Sequence, residues 1–79
     1  MKIRESHSEQ YSAKVFIYDN KKEDFFVVAV PDLYWSIQIN DDLYGDALTD
    51  HLAIHLFNVL DEEEAQILAL RITQWVQET

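Results

Sequence analysis

The chain has 79 residues, 48% of them apolar and 13% aromatic, with no cysteine and a formal net charge of −9. That length suits a single domain, 1–79, of the size that buries only about 60% of its unfolded surface, and the absence of cysteine excludes disulfide staples and thiolate metal sites. The longest apolar run, Phe25 to Pro31, falls far short of the ~20 residues a membrane helix needs, and no apolar run follows the opening Met1-Lys2-Ile3-Arg4, so a cytoplasmic protein without a signal peptide is expected.

Residues 1–10 are polar and are expected to fray or to add a short extra strand, since Lys2-Ile3-Arg4 alternates. Tyr11 to Asp19 reads as the first strand, with Val15, Phe16, Ile17 and Tyr18 all β-branched or aromatic. The polar cluster from Asp19 to Asp24 is turn-forming. Phe25 to Val30 is the second strand, and Pro31 stops it by removing a ladder donor. Asp32-Leu33 turns the chain into a third strand, Tyr34 to Ile39.

The period then becomes helical. Leu48, Leu52, Leu56 and Val59 or Leu60 predict a helix from about 46 to 60, capped by Asp46 or beginning earlier behind Asn40. Asp61 predicts the cap of a second helix, with Glu64 able to close a capping box and three glutamates on the positive end of its dipole. Leu68, Ile72, Trp75 and Val76 form its apolar stripe. The fold class expected is α+β: a three-stranded antiparallel sheet in the order β-β-β-α-α, with both helices on one face.

A hairpin centred on Lys21-Lys22 sets Tyr18 against Phe25 and Ile17 against Phe26. Ala13, Val15, Ile17, Phe26, Val28, Val30, Trp35, Ile37 and Ile39 then share the core face. The opposite face carries Phe16, Tyr18, Phe25, Val27 and Ala29. Two helices leave that face uncovered unless the N-terminal residues fold back over it, and an exposed apolar patch of a few hundred Å² marks a contact site. Phe16, Tyr18, Phe25 and Val27 are the candidate partner-binding residues, because desolvated aromatics dominate interface energetics.

Charge is uneven. Five of the six basic residues lie in the first 22 positions, and the remaining 57 residues carry twelve acids and one base, Arg71. This disfavours nucleic acid and favours a basic partner. Lys14, Phe16, Tyr18, Lys21 and Lys22 interleave as in single-strand binders, but Asp19, Glu23 and Asp24 surround them.

His51 and His55, four apart on one helix, are half of a zinc site, to which Asp46 or Asp50 would add an oxygen. The glutamate of the metalloprotease helix is missing, and an ordinary helix-surface role is the simpler account. The carboxylate runs Asp41-Asp42 and Asp61 to Glu64 stand at loop and helix-start positions that capping explains. No nucleophile elbow, phosphate loop or cofactor fingerprint is present. The expectation is a protein that is not an enzyme and needs no cofactor. Its alternatives are an inhibitor binding a small basic protein, or a metal-binding module using His51 and His55.

The stretch Val15 to Ser36, VFIYDNKKEDFFVVAVPDLYWS, together with Lys2-Ile3-Arg4, resembles the YueH-like family. The resemblance implies a small cytoplasmic protein of a Gram-positive bacterium, and no mechanism. Phe25 to Leu33, FFVVAVPDL, is also similar to the second strand of HicB-type antitoxins. That likeness implies a degenerate RNase H-like sheet and a small basic toxin as partner. Tyr34-Trp35 replaces that family's usual Pro-Gly, and the chain ends in a helix where those proteins append a DNA-binding domain.

Overall fold

A computed structural model describes residues 1–9 and 11–78. Gln10, the last residue of the segment expected to fray, lies outside the described residues. The architecture is α+β, with an antiparallel sheet and two helices. It divides into two compact units, residues 1–42 and 43–79.

The first unit is a sheet of four strands, not three, in the order β1-β2-β3-β4. The strands are β1 (Lys2–His7), β2 (Ser12–Asn20), β3 (Phe25–Val30) and β4 (Trp35–Asn40). The strand absent from the three-stranded expectation is β1. Its sequence, KIRESH, has one large apolar side chain, so its own pattern is weak. Pairing with β2 makes it a strand, setting Ile3 against Phe16 and burying Ser6 opposite Ala13. The N-terminal residues thus extend the sheet in its plane.

The β2–β3 register differs from the expected one by two residues. Ile17 pairs with Val28 and Tyr18 with Val27, while Asn20 and Phe25 close the ladder. The expected pairs, Tyr18 with Phe25 and Ile17 with Phe26, do not form. The loop uses four residues, Lys21 to Asp24. Asn20 holds it by accepting the Glu23 N–H at both its carbonyl (3.3 Å) and its side-chain oxygen (3.2 Å). Asp24 then takes a left-handed conformation, φ 61°. Because side chains alternate with period two, an even shift leaves every residue on its expected face. Ala13, Val15, Ile17, Phe26, Val28, Val30 and Ile39 are buried, and Trp35 and Ile37 beside them are half-buried. Fully burying such a side chain contributes about 1.5–3 kcal/mol.

Pro31–Leu33 forms one 3-10 turn, closed by Tyr34 N–H donating to the Pro31 carbonyl at 3.0 Å. The Asp32 carboxylate accepts the backbone N–H of Lys14 (3.0 Å), just beyond the end of β3. Tyr34 is left-handed, φ 53°, and 97% exposed. Val28 then faces Ile37 and Val30 faces Trp35.

The second unit is an antiparallel pair, α1 (Gly45–Leu56) and α2 (Glu62–Gln77). Helix α1 is shorter than the periodicity suggested: its last turn runs through Phe57 to Leu60 as non-helical turns closed on Ala53, His55 and Leu56 carbonyls. Asp46 is not its cap. Tyr44 holds that position without a side-chain bond, and Asp46 lies in the first turn. The Gln77 side chain from the end of α2 accepts the Gly45 N–H (3.1 Å), so a neighbouring helix does the work of a cap. Gly45 sits at φ 61°, where a side chain would strain the backbone. Asp61 does cap α2, accepting the Glu64 N–H at 2.9 Å. Leu48, Leu52, Leu56, Ala65, Leu68, Ala69 and Ile72 are buried, and Thr49 and Thr73 join the helices through a 2.8 Å hydroxyl bond.

Candidate interaction surface

The outer face of the sheet assembles row by row from the register. One row runs Ile3, Phe16, Ala29, Ser36; the next runs Tyr18, Val27, Gln38; the last runs Asn20, Phe25, Asn40. Phe16, Tyr18, Phe25 and Val27 therefore lie on one surface. Alternation puts them there, since each neighbours a residue of the buried face along its strand. Ile3 is 51% exposed and Tyr18 47% exposed, while Phe16, Phe25 and Val27 are partly shielded by one another and by their neighbours. Ile3 joins this patch through β1 and was not legible as part of it, because the short alternation Lys2-Ile3-Arg4 does not say which strand it pairs with. Ser36, Gln38 and Asn40 form a neutral polar margin on the β4 side, and Glu5, His7 and Lys14 a charged one at the other end.

At that charged end, His7 and Ser12 pair across β1 and β2. The His7 Nδ1 lies 3.1 Å from the Ser12 Oγ, and its Nε2 lies 3.2 Å from a Glu5 carboxylate oxygen. These residues line a recess of about 330 Å³ with Ala13, Lys14 and Asp32. A hydroxyl, an imidazole and a carboxylate in a chain are the parts of a catalytic triad. Here the His7 and Glu5 side chains are 68% and 55% exposed, so solvent screens the chain and competes for each of its bonds. The arrangement is set by strand pairing between residues seven and twelve, which sequence spacing alone does not reveal.

His51 and His55 lie on one side of α1, their rings edge to face with centroids 4.7 Å apart. Among the described residues no group of three or more His, Asp or Glu side chains is disposed to hold a metal ion. The carboxylates at the end of the sheet influence one another. The Asp41 carboxyl is raised from its ordinary value, first by desolvation and then by the neighbouring Asp19 and Asp24, with Lys21 opposing the shift and Asp42 adding least to it.

A second apolar surface, outside the sequence-based expectations, lies on the helical unit. Ile54, Phe57 and Leu70 are exposed and line a groove of about 540 Å³ with Thr49, Asp50, Ala53 and Gln66. The helical stripe identifies the buried side of each helix but does not expose the apolar residues left on the other. The unit carries seven carboxylates and one base, Arg71. Glu64 is buried, and one of its carboxylate oxygens has no hydrogen-bond partner among the described residues. Among the described residues no helix is long and apolar enough to cross a membrane.

Comparison with known proteins places the chain in a family. The model of a family described as YueH-like protein matches residues 2–78. The chain is 33% identical to "Uncharacterized protein YueH" of Bacillus subtilis (strain 168), over 99% of this chain and 99% of that one. No solved structure matches.

Proposed function

The chain belongs to the YueH-like family, and we propose that it is a non-enzymatic, cytoplasmic interaction module that binds a protein partner, or itself, through the outer face of its sheet. The observation that carries this reading is the contiguity of Ile3, Phe16, Tyr18, Phe25, Val27 and Ala29 across three adjacent strands. Three aromatic rings in one patch supply the large rigid contact area on which interfaces depend. The test is co-purification with the chain from its own host, alongside light scattering, for the native chain and for folded Phe16→Asp and Tyr18→Asp variants. A stoichiometric partner or raised mass that both variants lose supports the reading. Variants that are folded, more stable and unchanged in association reject it.

A second reading is an antitoxin-like inhibitor that holds a small basic protein on its acidic surface. It draws support from the groove of Ile54, Phe57 and Leu70 within a unit of seven carboxylates. Steering by such a surface raises association rates and weakens with salt. A partner of high pI whose association slows tenfold or more between low and physiological ionic strength, and is lost in Leu70→Asp but kept in Tyr18→Asp, favours it over the first.

A further inference from the structure

The sheet has two edges, β1 and β4, and they are built differently. Edge β1 carries Lys2, Arg4, Glu5 and His7, the charges that normally keep an edge from pairing with another chain. Edge β4 reads Trp35-Ser36-Ile37-Gln38-Ile39-Asn40. It has no charge and no proline, and its β-branched and aromatic residues favour extension.

Which of its backbone groups are free follows from one bond. The Asp41 N–H donates to the Asp24 carbonyl at 3.0 Å, and Asp24 opposite Asp41 continues the β3–β4 register. Hydrogen-bonded pairs alternate along an antiparallel ladder. Phe26 with Ile39, Val28 with Ile37 and Val30 with Trp35 are therefore the bonded pairs. The amides and carbonyls of Ser36, Gln38 and Asn40 point away from β3. Among the described residues they make no backbone bond outside the sheet, and their side chains are exposed. Unpaired edge groups of this kind are a template for another strand.

We propose that β4 pairs antiparallel with β4 of a second copy, about a two-fold axis at Gln38, to make one continuous eight-stranded sheet. In that register Gln38 meets Gln38 of the second copy, and Ser36 meets its Asn40 on both sides of the axis. These three pairs are all of the bonded kind and satisfy the groups just named. Their side chains are neutral and hydrogen-bond one another on the outer face, while Ile37 meets Ile39 of the second copy on the other. The self-complementary, uncharged register selects this occupant, and the chain's net −9 does not oppose it at the contact. Asp41 falls opposite Trp35 of the second copy, so the two Asp41 carboxylates stand about 20 Å apart along the strands, beyond a Debye length of ~10 Å at 0.1 M salt. The contact is isologous and closes on itself. It is independent of the outer-face reading, since it uses an edge and not a face.

The experiment is sedimentation equilibrium on the full native chain and on four variants whose folding is checked by circular dichroism. The native chain is expected at twice its 9.3 kDa mass. Gln38→Lys and Gln38→Glu each place like charges opposite one another and are expected to weaken dimerisation at least about tenfold, while an equimolar mixture of the two returns to twice the chain mass. Lys22→Ala, in the exposed loop between β2 and β3, is expected to dimerise as the native chain does. A native chain that stays at 9.3 kDa up to about millimolar concentration overturns the proposal. So does a dimer that Gln38→Lys leaves intact, or a mixture that stays monomeric. A dimer that both Gln38 variants leave intact and that the outer-face variant Tyr18→Asp dissociates overturns it too, and assigns self-association to the outer face.

Discussion

The two faces of the sheet are made of nearly the same residue types and do different things. Phe26 and Val28 on one face are buried to 4% and 0% exposure, while Phe16, Val27 and Tyr18 on the other remain partly or half open. Residue identity does not separate them; strand position does. An apolar side chain contributes to stability in proportion to the area it loses to water, so the inner face stabilises the fold. The outer face retains apolar area that a partner can still cover. Near-equal hydrophobicity on both sides of a sheet with one buried face is the contrast on which the proposed interaction surface rests.

That contrast is open to direct attack. The largest effect is expected from Phe26→Ala, which leaves a cavity under a buried ring and costs about 3–5 kcal/mol, read as a lowered midpoint in urea unfolding. Phe16→Ala, the same change on the opposite face, is expected to cost less than half of that. Equal losses at the two sites would erase the distinction between the faces. Asp61→Ala removes the α2 cap and is expected to cost about 1 kcal/mol. It lies outside the sheet and sets the scale for a local change, so an outer-face loss well above it would mark Phe16 as core.

The smallest effect is expected at Asp41, at the end of β4. Its carboxyl is raised in the folded chain, chiefly by desolvation and then by Asp19 and Asp24. A carboxyl raised above its unfolded value opposes folding above its folded pKa, and the opposition fades as pH falls through that pKa towards the unfolded one. Asp41→Asn is therefore expected to raise the thermal midpoint slightly at neutral pH and low salt, with the gain shrinking as the pH falls towards about 4 and absent well below it. A gain that persists unchanged in acid would mean that repulsion is not its source.

The faces were legible in the sequence because alternation is local. Val15, Ile17 and Val28 declare their side whatever the loop between them does, provided the register moves by an even number. The register itself was not legible, since it depends on whether Lys21 to Asp24 closes as two residues or four, and a left-handed Asp24 has no compelling sequence mark. Strand β1 was legible only as an option, because pairing with β2, not its own composition, makes it extended. The cap of α1, expected at Asp46, was misread for a related reason: the group that receives the Gly45 N–H comes from Gln77, 32 positions away. The cap at Asp61, by contrast, acts three residues along and is written in order. The edge at β4 and the groove on the helices share one cause of invisibility. Each consists of what its neighbours leave unoccupied, and sequence periodicity reports what is filled.

The bond from Lys14 to Asp32 carries a consequence for amide exchange. Past the end of β3, the Lys14 N–H would otherwise face solvent and trade its proton for deuterium as a loop amide does. Held by a carboxylate on the following turn, it is protected by that turn and not by a neighbouring strand, a reporter on whether Pro31 to Leu33 stays closed. In Asp32→Ala that one amide quickens while Val15 and Ile17 keep their rates, so the fraying of one turn is timed separately from the opening of the sheet.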